Sequence, residues 1–247
     1  MTRADDEFQG ALKQLGTIVP TLNADLGVML DAGAQKIFIS DEKGTVLGGD
    51  QSLVLMAMLH AMSVTGAKIA VPVTATRAVE EVAARHGATV VRCGTTYRSM
   101  MEAAHKGATF VGEERGGYIF GSFFPAFDSM MATAKLMEYV AVAGQPLSEL
   151  IKLIPKMHLV RSEAPCSWEK KGTVMRHLIE DAPSASSGQA HHLELIDGVK
   201  LHTGKSWVLV LPDSDKPFFH VDAEAESTRE AQALVDKYHE KIKQWQA

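Results

Sequence analysis

Asp213 and Asp215 stand two apart in Leu211-Pro212-Asp213-Ser214-Asp215-Lys216-Pro217, where two carboxylates could offer hard oxygen ligands to a small cation. Pro-Asp-Ser-Asp is also the composition of a solvated turn, since Asp and Ser side chains bond their own backbone. The turn is the expectation here. His158, His177, His191, His192, His202 and His220 are spread through the C-terminal part of the chain, together with Cys166. Their spacings match no zinc pattern, so ordinary histidines are expected. Cys93 and Cys166 form no CxxC pair and read as buried thiols in a reducing compartment. Asp31-Ala32-Gly33-Ala34-Gln35-Lys36 carries a single carboxylate between two apolar runs, too few hard ligands for a near-octahedral cation.

The elements that must position these groups follow from periodicity. Phe8, Leu12, Leu15 and Ile18 predict a helix over Glu7–Pro20. Strands at Leu26–Leu30 and Ile37–Ser40 flank the Asp31 loop. Asp50 is the expected N-cap of a helix carrying Leu53, Met56, Ala57, His60 and Val64, stopped at Gly66. An alternating series follows: strand Lys68–Val73, helix Arg77–His86, strand Ala88–Arg92, and a short helix Ser99–His105 opened by the capping box Ser99 and Glu102. Strands Ala108–Gly112 and Tyr118–Phe120 then lead to a helix over Asp128–Val142. This order predicts a layered α/β domain with a mixed, largely parallel sheet.

Gly144-Gln145-Pro146 breaks the pattern, and a short helix, Leu147–Leu153, leads to a boundary at Pro155. Beyond it the order changes to α+β: strand Met157–Glu163, helix Trp168–Glu180, a Pro/Ser/Gly loop over 181–189, and strands His192–Ile196, Val199–Leu201, Trp207–Leu211 and Phe218–Ala223. A last helix opens with the capping box Ser227 and Glu230 and lines up Ala231, Leu234, Val235, Tyr238 and Ile242. Phe123, Phe124, Phe127, Met130 and Met131 read as core or domain interface, Trp207 as core, and His105–Lys106 and Lys170–Lys171 as solvated charges.

The chain has 247 residues, 46% of them hydrophobic, and a net charge of −5. That composition predicts a globular protein without electrostatic attraction to nucleic acid or anionic membrane. Met1–Gly10 is polar and acidic and no apolar run approaches the ~18 residues of a membrane span, so a cytoplasmic protein is expected.

Five collinear segments resemble the α-D-phosphohexomutases, the phosphomannomutase/phosphoglucomutase family. They are Asp31–Lys36 with Asp41-Glu42-Lys43-Gly44 and Gly49-Asp50-Gln51; Thr76-Arg77-Ala78 with Glu80-Glu81-Val82-Ala83; Gly112-Glu113-Glu114-Arg115-Gly116-Gly117; Asp197-Gly198-Val199-Lys200 with Trp207-Val208-Leu209-Val210; and Leu211–Pro217 with Ala223-Glu224-Ala225-Glu226-Ser227. The resemblance implies a four-domain architecture of which residues 1–49 are a remnant of domain 2, 50–155 are the α/β domain 3, and 156–247 are domain 4. Domain 4 would be smaller, α+β and similar to the TATA-box-binding-protein fold. The first helix then reads as the tail of a larger assembly.

The departures from the family pattern decide what the resemblance implies about function. The metal loop D-G-D-x-D-R keeps only Asp31, with Gly33, Gln35 and Lys36 in the other positions. The S-H-N-P tetrapeptide that carries phosphate is absent. In the phosphate loop R-P-S-G-T-E-P, Leu211 replaces the arginine and Asp213 and Asp215 replace the serine and threonine. Two carboxylates repel a dianion, and Lys216 offsets only one of them. The sugar loop G-E-x-S-G-H keeps Glu113 and Glu114 as hydroxyl acceptors, with Arg115 at the serine position and Gly117 at the histidine.

The resemblance therefore implies a non-catalytic region with no catalytic residue, a vestigial sugar loop (Glu113, Glu114, Arg115), a vestigial phosphate loop (Asp213, Ser214, Asp215, Lys216) and no metal beyond a vestigial Asp31. Ala164–Arg176 and L-P-D-x-D-x-P further resemble mutase-like domains fused behind bacterial mannose-1-phosphate guanylyltransferases. The implied partners are nucleotidyltransferase or mutase domains, a sugar phosphate or nucleotide sugar, or a second copy of the chain. The alternatives are a divergent mutase fragment that uses Mg²⁺, and a sugar or nucleotide-sugar binding module.

Overall fold

The computed structural model describes residues 3–181 and 191–246. They divide into two compact units, Met1–Lys156 and Met157–Ala247.

In the first unit, α1 (Arg3–Thr21) lies on a hairpin of β1 (Leu26–Leu30) and β2 (Ile37–Asp41), paired antiparallel with Leu30 opposite Ile37. Phe8 meets Phe38 edge-on at 4.8 Å. Leu15 and Val19 sit over Gly27, where a Cβ would fall 2.3 Å from Val19. Only glycine lets the helix approach the strand this closely.

An α/β series follows: α2 (Gly49–Ser63), β3 (Lys68–Pro72), α3 (Ala78–Arg85), β4 (Thr89–Cys93), α4 (Tyr97–His105), β5 (Phe110–Gly112), β6 (Tyr118–Phe120), α5 (Ser129–Ala143) and α6 (Leu147–Ile151). The sheet order is β4-β3-β5-β6, parallel except for β6. Met100 and Ala104 of α4 pack on Ala70, Val111 and Ile119 across one face. On the other face Phe110 and Phe120 meet His60 of α2, which also meets Tyr139 of α5. The result is three layers with both sheet faces covered, as near-continuous apolar strands require. Glu42 ties the hairpin to α6 by accepting from the Ser148 N–H at 3.1 Å and from the Ser148 hydroxyl.

The second unit holds β7 (Leu159–Pro165), α7 (Trp168–Glu180), β8 (His191–Glu194), β9 (Val199–Thr203), β10 (Ser206–Pro212), β11 (Phe218–Glu224) and α8 (Thr228–Trp245). Its five-stranded sheet runs β7-β11-β10-β9-β8, antiparallel throughout. Val208, Val210, Phe219 and Val221 face Val174 and Leu178 of α7 and Val235 and Ile242 of α8 in one core. Trp207 is buried, as expected.

Several local expectations are corrected. Gly48, not Asp50, caps α2: the Gln51 side chain accepts from the Gly48 N–H at 3.3 Å, and Asp50 falls inside the first turn. Thr96, not Ser99, caps α4 by accepting from the Ser99 N–H, while the Ser99 hydroxyl accepts from the Gly94 N–H at 2.9 Å. β7 lies two residues later than expected because it pairs with the full length of β11, up to Pro165 opposite Phe218. Of the Phe/Met cluster, Phe127 packs against the core of α4, whereas Phe123, Phe124 and Met130 are exposed. The expected loop over 181–189 lies, beyond Asp181, outside the described residues.

Candidate functional site

In the first unit, the Asp31 loop and the Gly112–Gly117 loop are docked on each other. Asp31 Oδ1 accepts from the N–H groups of Gln35 and Lys36 at 2.7 and 2.8 Å. The carboxylate thus staples its own loop. Ala34 holds a left-handed φ of +51°, and its carbonyl accepts from the Ser129 N–H at 3.1 Å. The Ile37 N–H donates to Gly116 O at 2.9 Å, and Gly116, at φ +88°, has no room for a Cβ beside Ile37 O. Gly49 at the start of α2 presses closer still to the Glu114 carbonyl.

This docking places Lys36 Nζ 3.9 Å from Glu113 Oε1 and 6.0 Å from the Tyr97 ring centre. Glu113 is only 4% exposed, and Oε1 has no hydrogen-bond partner among the described residues. Burial pushes its carboxyl above the usual range, and the Lys36 ammonium pulls partly the other way. The Tyr118 and Ser129 hydroxyls are likewise buried without a partner. Glu114 Oε1 accepts from the Thr74 hydroxyl at 3.3 Å, and Arg115 is exposed. A Cβ on Gly117 would strike the Phe127 ring at 2.7 Å, so the loop admits no side chain there without displacing Phe127.

In the second unit, the 211–217 loop is closed from within. Asp213 Oδ1 accepts from the N–H groups of Asp215 and Lys216, each at 2.8 Å. Asp213 Oδ2 lies 2.9 Å from His220 Nε2. The Asp215 N–H above all, joined by the His220 ring and the Lys216 N–H, holds the Asp213 carboxyl below its ordinary range, against burial, which is second in size and acts the other way. Ser214 donates to Asp215 at 3.0 Å.

Lys171 corrects the sequence reading, which took it as a solvated charge. It is buried, with Nζ donating to the carbonyls of Asp213 and Lys216, both at 2.6 Å, and lying 3.9 Å from the Trp168 ring centre. The spacing Trp168 to Lys171, one helical turn, was the available signal.

The histidines do not gather in one site. His158 meets Thr228, His177 stacks on Trp245, His192 has its ring centre 5.7 Å from that of His202, His202 pairs with Glu194, and His220 serves Asp213. Among the described residues no group of three or more His, Cys, Asp or Glu side chains is placed to hold a metal. Asp31, committed to two N–H groups, does not fit Mg²⁺ by itself. Cys166 is buried and burial raises its thiol pKa, while Cys93 is half-buried. No described helix is long and apolar enough to cross a membrane.

Residues 48–157 match the family model described as phosphoglucomutase/phosphomannomutase, alpha/beta/alpha domain III. Over these residues the chain belongs to the α-D-phosphohexomutase superfamily. Curated phosphohexomutases match beyond that domain. A protein named phosphoglucomutase/phosphomannomutase from Thermococcus kodakarensis is 28% identical over 91% of this chain and 48% of its own length. A probable phosphoglucosamine mutase from Methanopyrus kandleri is 31% identical over 92% of this chain and 50% of its own. The crystal structure of a phosphoglucomutase/phosphomannomutase family protein from Burkholderia thailandensis superposes with a TM-score of 0.77 at 20% identity, covering 96% of this chain and 50% of that one. That likeness shows the fold. The chain spans about half the length of the phosphohexomutases it matches.

Proposed function

We propose that this chain is a non-catalytic, phosphohexomutase-derived region of a cytoplasmic sugar-nucleotide pathway protein, where it acts as a structural or regulatory partner of a mannose-1-phosphate guanylyltransferase-type module. One observation carries the non-catalytic reading: the Asp213 carboxylate takes the N–H groups of Asp215 and Lys216 for itself. A phosphate approaching this loop meets a fixed anion on the donors it needs, with Leu211 where the family places a cationic fork. Asp31, bonded into its own loop, supports the same reading for the metal. The resemblance of Ala164–Arg176 and Leu211–Pro217 to the fused domains supports the choice of partner.

The test is twofold. Mannose 1-phosphate is incubated with the chain, glucose 1,6-bisphosphate and Mg²⁺, and mannose 6-phosphate formation is followed; none is expected. Sedimentation with a mannose-1-phosphate guanylyltransferase should show a complex. Turnover, with or without complementing mutase domains, would establish the divergent mutase instead.

Glu113 favours a second reading, a sugar or nucleotide-sugar binding module, because its buried Oε1 has no hydrogen-bond partner and sits beside Lys36. Calorimetry with GDP-mannose and mannose phosphates separates the two, since heat that vanishes in Glu113→Gln supports binding.

A further inference from the structure

We infer that His192 and His202 form a chelate for a divalent transition ion such as zinc, which straps the edge strand β8 to β9. One turn brings the pair together. Asp197 takes a left-handed φ of +58°, a conformation that Asp tolerates, and the chain reverses there between β8 and β9. The resulting register sets His192 directly opposite His202 and Glu194 opposite Lys200. Side chains alternate along a strand, so these four share one face of the sheet. Leu193 and Leu201, which alternate with them, pack into the core shared with α7 and α8. The histidines therefore stand on the sheet face turned away from both helices.

The geometry is close to that of two imidazoles on one ion. A ring nitrogen lies about 2.0–2.1 Å from zinc, so each ring centre stands ~3.2 Å from the ion, and two rings at a tetrahedral angle have centres ~5.2 Å apart. The His192 and His202 ring centres are 5.7 Å apart, with their planes tilted by 41°. A small rotation of His192, which is exposed, closes the difference. Glu194 prepares the other ring. Its Oε2 lies 3.1 Å from His202 Nε2. An ionised carboxylate only accepts, so Nε2 carries the proton and Nδ1 keeps the lone pair for the ion. Ligating histidines almost always donate their second N–H to such a partner.

The donor set chooses the ion. Imidazole suits zinc, nickel and copper, whereas magnesium and calcium want hard oxygens. Two protein donors leave the remaining positions to water. The cation that shares this face is Lys200, and its Nζ lies 3.9 Å from the Trp207 ring centre. Trp207 belongs to β10, on the far side of β9 from β8, so that charge is drawn away from His192. β8 is the last strand in the order β7-β11-β10-β9-β8, and an ion bonded to both β8 and β9 ties that edge down. None of this depends on the sugar, phosphate or Asp31 loop, so its failure would leave the proposed function standing.

The test titrates the full chain, ¹⁵N-labelled, with zinc chloride in a non-coordinating buffer, followed by calorimetry and by the histidine ring signals. The rings of His192 and His202 should shift, with those of His158, His177 and His220 unmoved. Amide exchange at Leu193 and Glu194 should slow relative to Val208 and Val210, and magnesium chloride should do none of this. His192→Ala and His202→Ala should each weaken zinc binding at least tenfold, and the double variant little more than either, because one imidazole alone does not chelate. Glu194→Gln, which loosens the hold on Nε2, should cost about tenfold. His192 is exposed, so its alanine variant keeps the test standing if His202→Ala disturbs the sheet. The inference is overturned if millimolar zinc gives no heat, if His192→Ala binds zinc as tightly as the parent, or if the His158 and His177 rings shift along with the pair.

Discussion

His220 stands directly behind Asp213, its Nε2 2.9 Å from Oδ2, while Oδ1 holds two backbone N–H groups of the loop. The strand register explains the meeting: Leu211 of β10 lies opposite His220 of β11, so the loop leaving β10 folds back over that ring. A position that could face a ligand is thereby bonded into the protein.

Asp213→Ala should destabilise the second unit by about 1–3 kcal/mol at pH 7, the range for losing hydrogen bonds to a charged group. The Asp213 carboxyl is held below its ordinary value, so its contribution is complete above about pH 4 and is lost as pH falls through the folded value. Thermal unfolding of the variant and the parent should therefore differ at pH 7 and converge at low pH. An equal gap at both would disconnect Asp213 from loop stability.

Lys171→Met should loosen the same loop from the other side. It keeps the apolar stem but leaves two carbonyls without the ammonium that both now bond at 2.6 Å. Losing charge-assisted bonds at a buried site costs about 2–4 kcal/mol. Amide exchange at Asp215 and Lys216 should accelerate well beyond the change at Val208 or Val210. Uniform acceleration would assign Lys171 to the core rather than to the loop.

The Trp168 spacing hints at a packed Lys171 stem but not at the partners of its ammonium. Lys170–Lys171 looks solvated because the carbonyls that capture Lys171 are more than forty residues away and arrive only when β10 and β11 place the 211–217 loop beside α7. Local signals fared better. Ser227 caps α8 by accepting from the Glu230 N–H, as its box predicts. The unbroken apolar run Trp207–Leu211 marks β10 correctly. Ser99 failed as a cap because Thr96, three residues earlier, has the same chemistry and wins the position. The departures in the phosphate loop were plain from residue types, whereas the internal use of its donors required the fold.

Glu113→Gln should raise the thermal midpoint of the first unit at neutral pH. Burial holds the folded Glu113 carboxyl above its unfolded value of about 4.3, so the folded state binds more protons and stability falls as pH climbs from there through the folded value. Glutamine cannot ionise and should abolish that slope. Loss of the contact to Lys36 works in the other direction, and it is the smaller effect because Lys36 Nζ is 3.9 Å away. A variant less stable than the parent at pH 7 would make the ion pair the larger effect.

His60 should give the first unit an acid-sensitive stability of opposite sign. Its ring is buried between Phe110 and Tyr139, with Nδ1 2.8 Å from the Tyr139 hydroxyl and Nε2 2.9 Å from that of Thr109. Burial, helped by Lys135, lowers its pKa to about 4. The unfolded chain, with a histidine pKa near ~6.5, takes up the proton first, so stability falls as pH drops from there to about 4. A shift of that size corresponds to about 3 kcal/mol, fully lost below the folded value. His60→Gln can keep a hydrogen bond to one of the two hydroxyls but carries no titrating group. Denaturant unfolding at pH 7 and pH 4 should show the parent losing most of that 3 kcal/mol relative to the variant. Parallel losses in the two proteins would place the acid sensitivity elsewhere.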